Sequence, residues 1–372
     1  MNIKDLTDIT FCETNPGEIE KEIISTFEQL AESTLYPGDP VRLFLEGLAY
    51  VITQQRYLID ATAKQNLLAY AGGDNLEHLG AFLGVSRLPE AFAEVDVEFS
   101  KSPNYAGAVT IPQGTRVSPD NQIFYETIES GEIAAGESTV TLRCRCQMPG
   151  SAYNGFSAGQ IALLVDPVAY VASAVNTTTS LGGADAETDE HLRDRIRIAP
   201  EQFSNAGPTG AYVYYAKSAH PDIVDVSVTS PSPGVINVYP LKAGGELPDA
   251  AVISAVEDLL SGEKARPLTD SVSVLTPTAV NYDIDVTYYI ETSKAGLTES
   301  ITAAVEKAVD KYVENQSEKL GRDINPTELI YRLYSAGVKR VEVTSPVFAI
   351  LTAEQVAQLG TRTVAFGGYE DE

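Results

Sequence analysis

Residues 155–159 read Gly155-Phe156-Ser157-Ala158-Gly159, the Gly-x-Ser-x-Gly spacing that can set a serine hydroxyl on a sharp turn for nucleophilic attack. Asp166 follows, then His191 and His220, so the chain order Ser, Asp, His found in one class of hydrolase is also present. Such a turn needs a strand before the serine and a helix after it. Here a loop of Pro, Gly, Ser and Asn precedes it, and the strand-like run 161–165 follows. The local pattern therefore reads as a loop between strands, and a Ser157 hydrolase stands as one functional reading with its context against it.

Three further sets have chemical potential. Gly182-Gly183 followed by Asp185, Glu187, Asp189 and Glu190 gathers carboxylates as a cation loop would. An EF-hand loop, however, needs a glycine at its sixth position and a bidentate Glu at its twelfth, which this run lacks. The same residues suit a helix start, with Thr188 or Asp189 as N-cap and acids in the first turn. Cys12, Cys144 and Cys146 are an odd, sparse set, and the last two share a face of a strand-like run. They read as small buried or half-buried residues, so no metal and no cofactor is expected. Arg193, Arg195 and Arg197 stand out in an acidic chain. Arginine suits bidentate pairing with carboxylates, either of a neighbouring subunit or of this chain's own Asp185, Glu187 and Glu190.

Periodicity supplies the elements that must position these groups. Residues 15–35 read as a helix, with Asn15 as cap, Pro16 first, Glu18 in the first turn, and Ile19, Ile23, Phe27 and Leu30 on one face. A second helix begins at Asp39-Pro40 and runs to about residue 70, on the order of 45 Å, where Gly72-Gly73 ends it. It is richer in apolar residues than one core requires. Val41, Phe44, Leu45, Leu48, Val51, Ile52, Leu58 and Ile59 form the expected stripe, while Leu43, Tyr50 and Tyr57 recur beside it. Two apolar faces need two partners. Either the first helix and a third after Asn75 (Leu76, Leu79, Phe82, Leu83) cover both, or another chain covers one.

From residue 95 to 174 short alternating runs separated by Gly, Pro, Asn and Ser indicate a small β domain. Beyond it come a helix at 211–219, strands at 223–228 and 235–239, a helix at 251–260 and a strand at 272–275. A cleanly alternating strand at 282–290 and an amphipathic helix at 301–312 follow. The unit 208–231 and the unit 326–346 both read as helix, turn and strand ending in Thr-Ser-Pro, a faint internal repeat. The fold class is α+β: a helical bundle segment over 1–90, a β domain over 91–180, an α+β module over 181–280 and a second over 281–372.

The 372 residues are 44% hydrophobic, ample for two or three domain cores. Against 52 acidic residues stand 26 basic ones, a formal charge of -26 that disfavours phosphate-backbone binding and favours solubility. No run reaches the roughly 18–20 apolar residues that span a bilayer, and the start lacks a secretory signal, so folding in a cytoplasm is expected.

The stretch from Leu181-Gly182-Gly183-Ala184-Asp185 through Glu187-Thr188-Asp189-Glu190-His191-Leu192-Arg193 continues to Gly207-Pro208-Thr209-Gly210-Ala211-Tyr212 and ends at Ala219-His220-Pro221-Asp222-Ile223. With it go Ile111-Pro112-Gln113-Gly114-Thr115-Arg116-Val117, the Pro149-Gly150 and Asn154-Gly155 loop, and Arg266-Pro267-Leu268-Thr269-Asp270. In order and spacing these resemble the baseplate J-like family, wedge proteins of contractile phage tails and related injection machines. The motifs carry the resemblance over about residues 95–290; outside them it rests on pattern.

The resemblance implies a structural protein and not an enzyme. Its N-terminal helices would enter a bundle shared with a second copy and with a different wedge protein. The C-terminal part would make dimer contacts within and between wedges, closing a ring around the tail tube beside tube or sheath-end proteins and relaying the trigger for sheath contraction. Phe44, Leu48, Val51, Leu58, Arg193, Arg195 and Arg197 are the expected interface residues. The protein would assemble in a bacterial host's cytoplasm and reside in a virion or phage-tail-like particle, with no nucleic-acid partner and no membrane insertion. A carbohydrate-binding or adhesion module is the alternative, suggested by tyrosine-rich β regions and opposed by the lack of signal and disulfides. Ser157→Ala is expected to leave any background hydrolysis of generic esters unchanged; a clear drop would restore the hydrolase reading.

Overall fold

The computed structural model describes residues 6–203, 208–262 and 269–371, so Gly207 and the Arg266-Pro267-Leu268 part of one motif lie outside the described residues. The chain divides into two compact units: Met1–Ser86 with Leu192–Arg197, and Arg87–His191 with Ile198–Glu372.

In the first unit, helix α1 (Pro16–Ala31) opens as the sequence dictates, with the Asn15 side chain accepting from the Gly17 N–H. It stops short of residue 35 because Glu32 turns left-handed at φ 48°, its N–H bonded to the Glu28 carbonyl. Helix α2 (Pro40–Lys64) is capped by Asp39, which accepts from Val41 N–H at 2.8 Å. It ends several residues before residue 70. Gln65 folds the following turns by donating to Tyr70 O and accepting from Gly72 N–H, and Arg193 takes the carbonyls of Leu68 and Ala71. Carbonyls held that way favour the turns over continued helix. Helix α3 (Gly73–Ala81) buries Leu76, but Phe82 lies past its end and is 88% exposed, so it does not extend the apolar stripe.

The second unit begins with a β domain. Its strands are β1 (Phe92–Lys101), β2 (Val109–Ile111), β3 (Arg116–Ser118), β4 (Tyr125–Thr127), β5 (Gly131–Ile133), β6 (Thr139–Pro149), β7 (Leu163–Leu164) and β8 (Val171–Asn176). Six of them form a sheet in the order β7-β3-β4-β6-β1-β8, a nearly closed barrel, and β2 pairs β5. Alternate residues of β1 and β6 point inward: Val95, Val97, Phe99, Leu142, Cys144 and Cys146 are all buried in one core. The shared face expected for Cys144 and Cys146 is thus the barrel interior.

Helix α4 (Asp189–Ile198) carries the signature acids at its start. Then come α5 (Thr209–Ala219), β9 (Ile223–Ser232), β10 (Val235–Lys242), α6 (Ala250–Ser261) and β11 (Ser271–Val274). They are followed by β12 (Thr278–Glu291), α7 (Thr298–Ser317), α8 (Pro326–Ser335), β13 (Arg340–Ser345) and β14 (Gln355–Glu370). The two sheets, β11-β10-β9 and β13-β12-β14, share one plan: a central strand with one antiparallel and one parallel neighbour. The two Thr-Ser-Pro units occupy matching places, each a helix leading into the antiparallel edge strand. In the second sheet Ile284, Val286, Tyr288 and Ile290 alternate inward against Val305, Val309, Leu329 and Leu333 of α7 and α8.

Within the barrel one polar residue organises the loop that contains Ser157. Asn176 is 1% exposed. Its Oδ1 accepts from Ile161 N–H at 2.8 Å, and its Nδ2 donates to Ser157 O at 2.9 Å and Thr178 O at 2.7 Å. Removing it strands the buried Ile161 N–H, at about 1–3 kcal/mol, and unties the part-buried carbonyls of Ser157 and Thr178. Asn176→Ala is expected to destabilise the protein by roughly 3 kcal/mol, read as a lower midpoint in chemical denaturation; a change within error would mean that the loop is held by something else.

Candidate assembly interface

Helix α2 has 25 residues, and only Leu45, Ala49 and Asp60 are buried. Leu45 joins Ile24 and Leu35, with Ile23 and Phe27 against them, in a small core between α1 and α2. The charged residues of α2 lie on this packed side and are paired there. Arg42 bonds Glu46 at 2.9 Å, Arg56 lies 3.5 Å from Glu22, and Lys64 lies 3.0 Å from Asp60. The segment before α1 is tied to the same side. Phe11 N–H donates to Asp60 Oδ1 at 2.7 Å, the Cys12 thiol to Arg56 O, and the Tyr70 hydroxyl to Asp8.

The opposite side is open. Phe44 is 69% exposed, Leu48 40%, Val51 51% and Leu58 62%, and Leu43, Tyr50, Tyr57 and Ile59 are each more than half exposed. Of the eight stripe residues picked out by periodicity, only Leu45 is buried. An open groove of about 580 Å³ runs along Tyr50, Tyr57 and Leu58 beside Pro16. A stripe of this size on a lone chain exceeds what isolated surface hydrophobics explain.

The three arginines take different places. Arg193 donates to Leu68 O at 2.9 Å and Ala71 O at 2.8 Å, and Arg195, 4% exposed, donates to Ser86 O at 3.2 Å. Arg197 pairs with Asp194 at 2.6 Å on the surface. The guanidinium fork of Arg193 thus braces the turns after α2. α4 also approaches α3 closely: a Cβ on Gly80 would lie 2.7 Å from Val85 O and 3.1 Å from Ile196 Cδ1, so only glycine fits there.

The signature carboxylates serve structure. Thr188 Oγ1 accepts from His191 N–H and caps α4. Asp185 accepts from Ser151, and Asp189 pairs with Arg87 at 2.6 Å. Buried Glu187 accepts from Leu88 N–H and lies 2.5 Å from His191 Nδ1, whose Nε2 faces Ile223 O at 2.6 Å. The motifs also meet in space. Asn154 and Gly183 exchange two hydrogen bonds, and a Cβ on Gly183 would come within 2.4 Å of Gly150 O. Tyr212 donates to Asp270 at 2.5 Å.

Ser157 sits in an exposed loop that leads into strand β7, and its N–H donates to Gln160. Asp166 is held by Arg116 at 2.8 and 2.9 Å, and this bonding keeps its carboxyl below the usual range. His220 is buried, which pushes its imidazole below the usual value, and its nearest carboxylate, Asp222, is 3.8 Å away. Among the described residues no hydrogen bond joins Ser157, Asp166 and either histidine, so the elbow geometry is not formed.

Four family models match this chain in order. They are the Baseplate J-like N-terminal domain over 38–91, the Baseplate J-like protein barrel domain over 96–183, the central domain over 204–276 and the C-terminal domain over 282–365. The chain belongs to the baseplate J-like family. Baseplate protein J of Escherichia phage P2 is 34% identical to this baseplate J-like chain over 187 residues, 50% of this chain and 61% of that protein. The match thus spans about three-fifths of that relative's length. A chain in the cryo-EM structure of the anti-feeding prophage baseplate is a distant likeness, with a TM-score of 0.42 and 15% identity over 92% of this chain and 90% of that one.

The packed side of α2 carries a pH signature. The Phe11 N–H, then Lys64, hold the Asp60 carboxyl below its ordinary value of 3.8. A depressed carboxylate contributes stability that is full above that value and fades as pH falls below it. The wild-type helical unit is expected to melt at progressively lower temperature as pH drops through 3.8, and Asp60→Asn to flatten that dependence; identical profiles for both would remove Asp60 from the account.

Proposed function

We propose that this baseplate J-like protein is a structural wedge component of a contractile-tail baseplate, and that α2 is the face through which it joins its partners. The observation that carries this is the 25-residue helix with three buried residues and an apolar side left in water. Burying a Val, Leu or Phe side chain contributes about 1.5–3 kcal/mol. Four half-exposed ones, Phe44, Leu48, Val51 and Leu58, supply on the order of 5 kcal/mol, near the low end of what association costs. The neighbouring strip of Leu43, Tyr50 and Tyr57 supplies the surplus. A helical bundle with a second copy and a different wedge protein would use both. In this reading Arg193 and Arg195 act indirectly, by bracing the turns after α2 and the chain after α3, while Arg197, paired with Asp194, is offered as a surface contact.

The divisions 1–90, 91–180, 181–280 and 281–372 serve as joining, spacing and ring-forming parts. Support for the last comes from open sheet edges. Among the described residues β14, a 16-residue strand, pairs only β12, and β9 and β11 are edges of their sheet. Such edges suit contacts between copies and between wedges in a ring around the tail tube, beside sheath-end proteins. A change in those contacts upon host binding would release sheath contraction, a two-state switch at an interface. Assembly would take place in the host cytoplasm, without cofactor, nucleic acid or membrane insertion. The structural use of the signature acids, of Asp166 and of the Ser157 loop favours this over a hydrolase.

Leu48→Asp tests the reading. Light scattering on size-exclusion fractions, with the chain co-expressed with the products of neighbouring genes, is expected to give a complex for the wild type and none for Leu48→Asp, with circular dichroism unchanged. Global unfolding of Leu48→Asp would place Leu48 in the chain's own core, and a wild-type chain that joins no neighbour would overturn the wedge reading.

A further inference from the structure

A backbone N–H can only donate, so a histidine nitrogen that meets one at hydrogen-bond distance must accept and carry no proton. His220, just past the end of α5, is held that way. Its Nδ1 accepts from the Asp222 N–H at 3.3 Å, which fixes the ring as neutral with its hydrogen on Nε2. The residue is 8% exposed, and among the described residues Nε2 has no hydrogen-bond partner on the side where it faces the Gly182 backbone. His191 obeys the opposite rule. Its two nitrogens face Glu187 Oε1 and Ile223 O, both acceptors, so adding a proton to that ring breaks neither bond.

Both rings stand at one joint. Of the three histidines in the chain, these two flank the start of β9: His191 binds the Ile223 carbonyl, and the Ile223 N–H donates to the His220 carbonyl at 3.2 Å. Here the loop leaving the barrel meets the first α+β module, since a Cβ on Gly182 would lie 3.6 Å from Ala251 Cβ at the start of α6. The charged groups around His220 come from each element packed there. Asp222 Oδ2 in the turn is 3.8 Å from Nδ1, Lys242 closes β10, and Asp249 caps α6. Lys242 is already shared between Asp249 at 3.7 Å and Glu246 at 3.6 Å. A proton on Nδ1 therefore ejects the Asp222 N–H, adds a charge in a buried place and sets it near Lys242. Burial, the largest influence, holds the imidazole below its ordinary 6.5, and Asp222 and Asp249 offset only part of this.

We propose that His220 makes the joint between the barrel and the first α+β module acid-sensitive, protonation of Nδ1 breaking its bond to the Asp222 N–H and freeing the start of β9. A buried neutral imidazole contributes stability that is complete above 6.5 and is lost as pH falls below it. Hydrogen exchange of the Asp222 and Ile223 amides in the full chain tests this from about pH 7.5 to about pH 5, corrected for the intrinsic pH dependence of exchange. The opening constant of the wild type is expected to rise below 6.5, by up to about tenfold per pH unit for one proton. His220→Asn keeps an oxygen to accept the Asp222 N–H and does not titrate, so its profile is expected to be flat, whereas His191→Gln is expected to keep the slope. A flat wild-type profile would overturn the proposal whatever the variants do. A slope that survives in His220→Asn, or vanishes in His191→Gln, would also overturn it by assigning the proton to another group.

Discussion

Helix α2 places its paired charges on one side and most of its large apolar residues on the other. Every charge lies on the half that α1 and residues 8–12 already cover, and most of the large apolar residues lie on the half that faces water. Charge placed against neighbours is paired, so that half is complete. The other half retains an unfavourable solvation energy that association would remove in the proposed role. The proposed role follows from this inversion: the helix is ordered by polar contacts on one side and keeps its hydrophobic side for another chain. The small core of Ile24, Leu35 and Leu45 suffices to hold the helix in place without consuming that side.

The second unit shows the complementary economy. Residues with catalytic potential are committed to hydrogen bonds that shape loops and helix ends. Asn176 gathers the Ser157 loop, Asp166 binds Arg116, and Glu187 joins Leu88 to His191. Among the described residues the larger buried cores, one inside the barrel and one beneath each three-stranded sheet, make packed blocks that leave strand edges available. Rigid blocks with open edges are what a protein needs if its work is to hold and shift contacts, since a packed core transmits displacement instead of absorbing it.

How much of this was legible in the sequence depended on range. Helix starts at Asn15-Pro16 and Asp39-Pro40 were legible because caps act over two or three residues. The strand alternation of 282–290 and the inward pair Cys144 and Cys146 were legible because the pleat repeats every two. The end of α2 was not, since it depends on Arg193, 125 residues from the Leu68 carbonyl it binds. Strand β14, which pairs in parallel with β12 along almost its whole length, gave no clean alternation, because as an edge strand it buries few residues. The Gly-x-Ser-x-Gly spacing matched while its geometry did not, because the loop is shaped by a buried asparagine that the spacing does not include. At the candidate interface the residue types were legible, but which half of α2 the chain keeps for itself was not; that was settled by the ties to Phe11, Cys12 and Glu22.

In the proposed role the open side of α2 is covered only upon assembly. Amide hydrogen exchange across Pro40–Lys64, compared between the isolated chain and the assembled particle, tests it most directly, because a helix with few buried contacts opens readily until a partner covers it. Fast exchange in the isolated chain and strong slowing in the particle, greatest around Leu48, are expected. Equal rates in the two states would contradict that role.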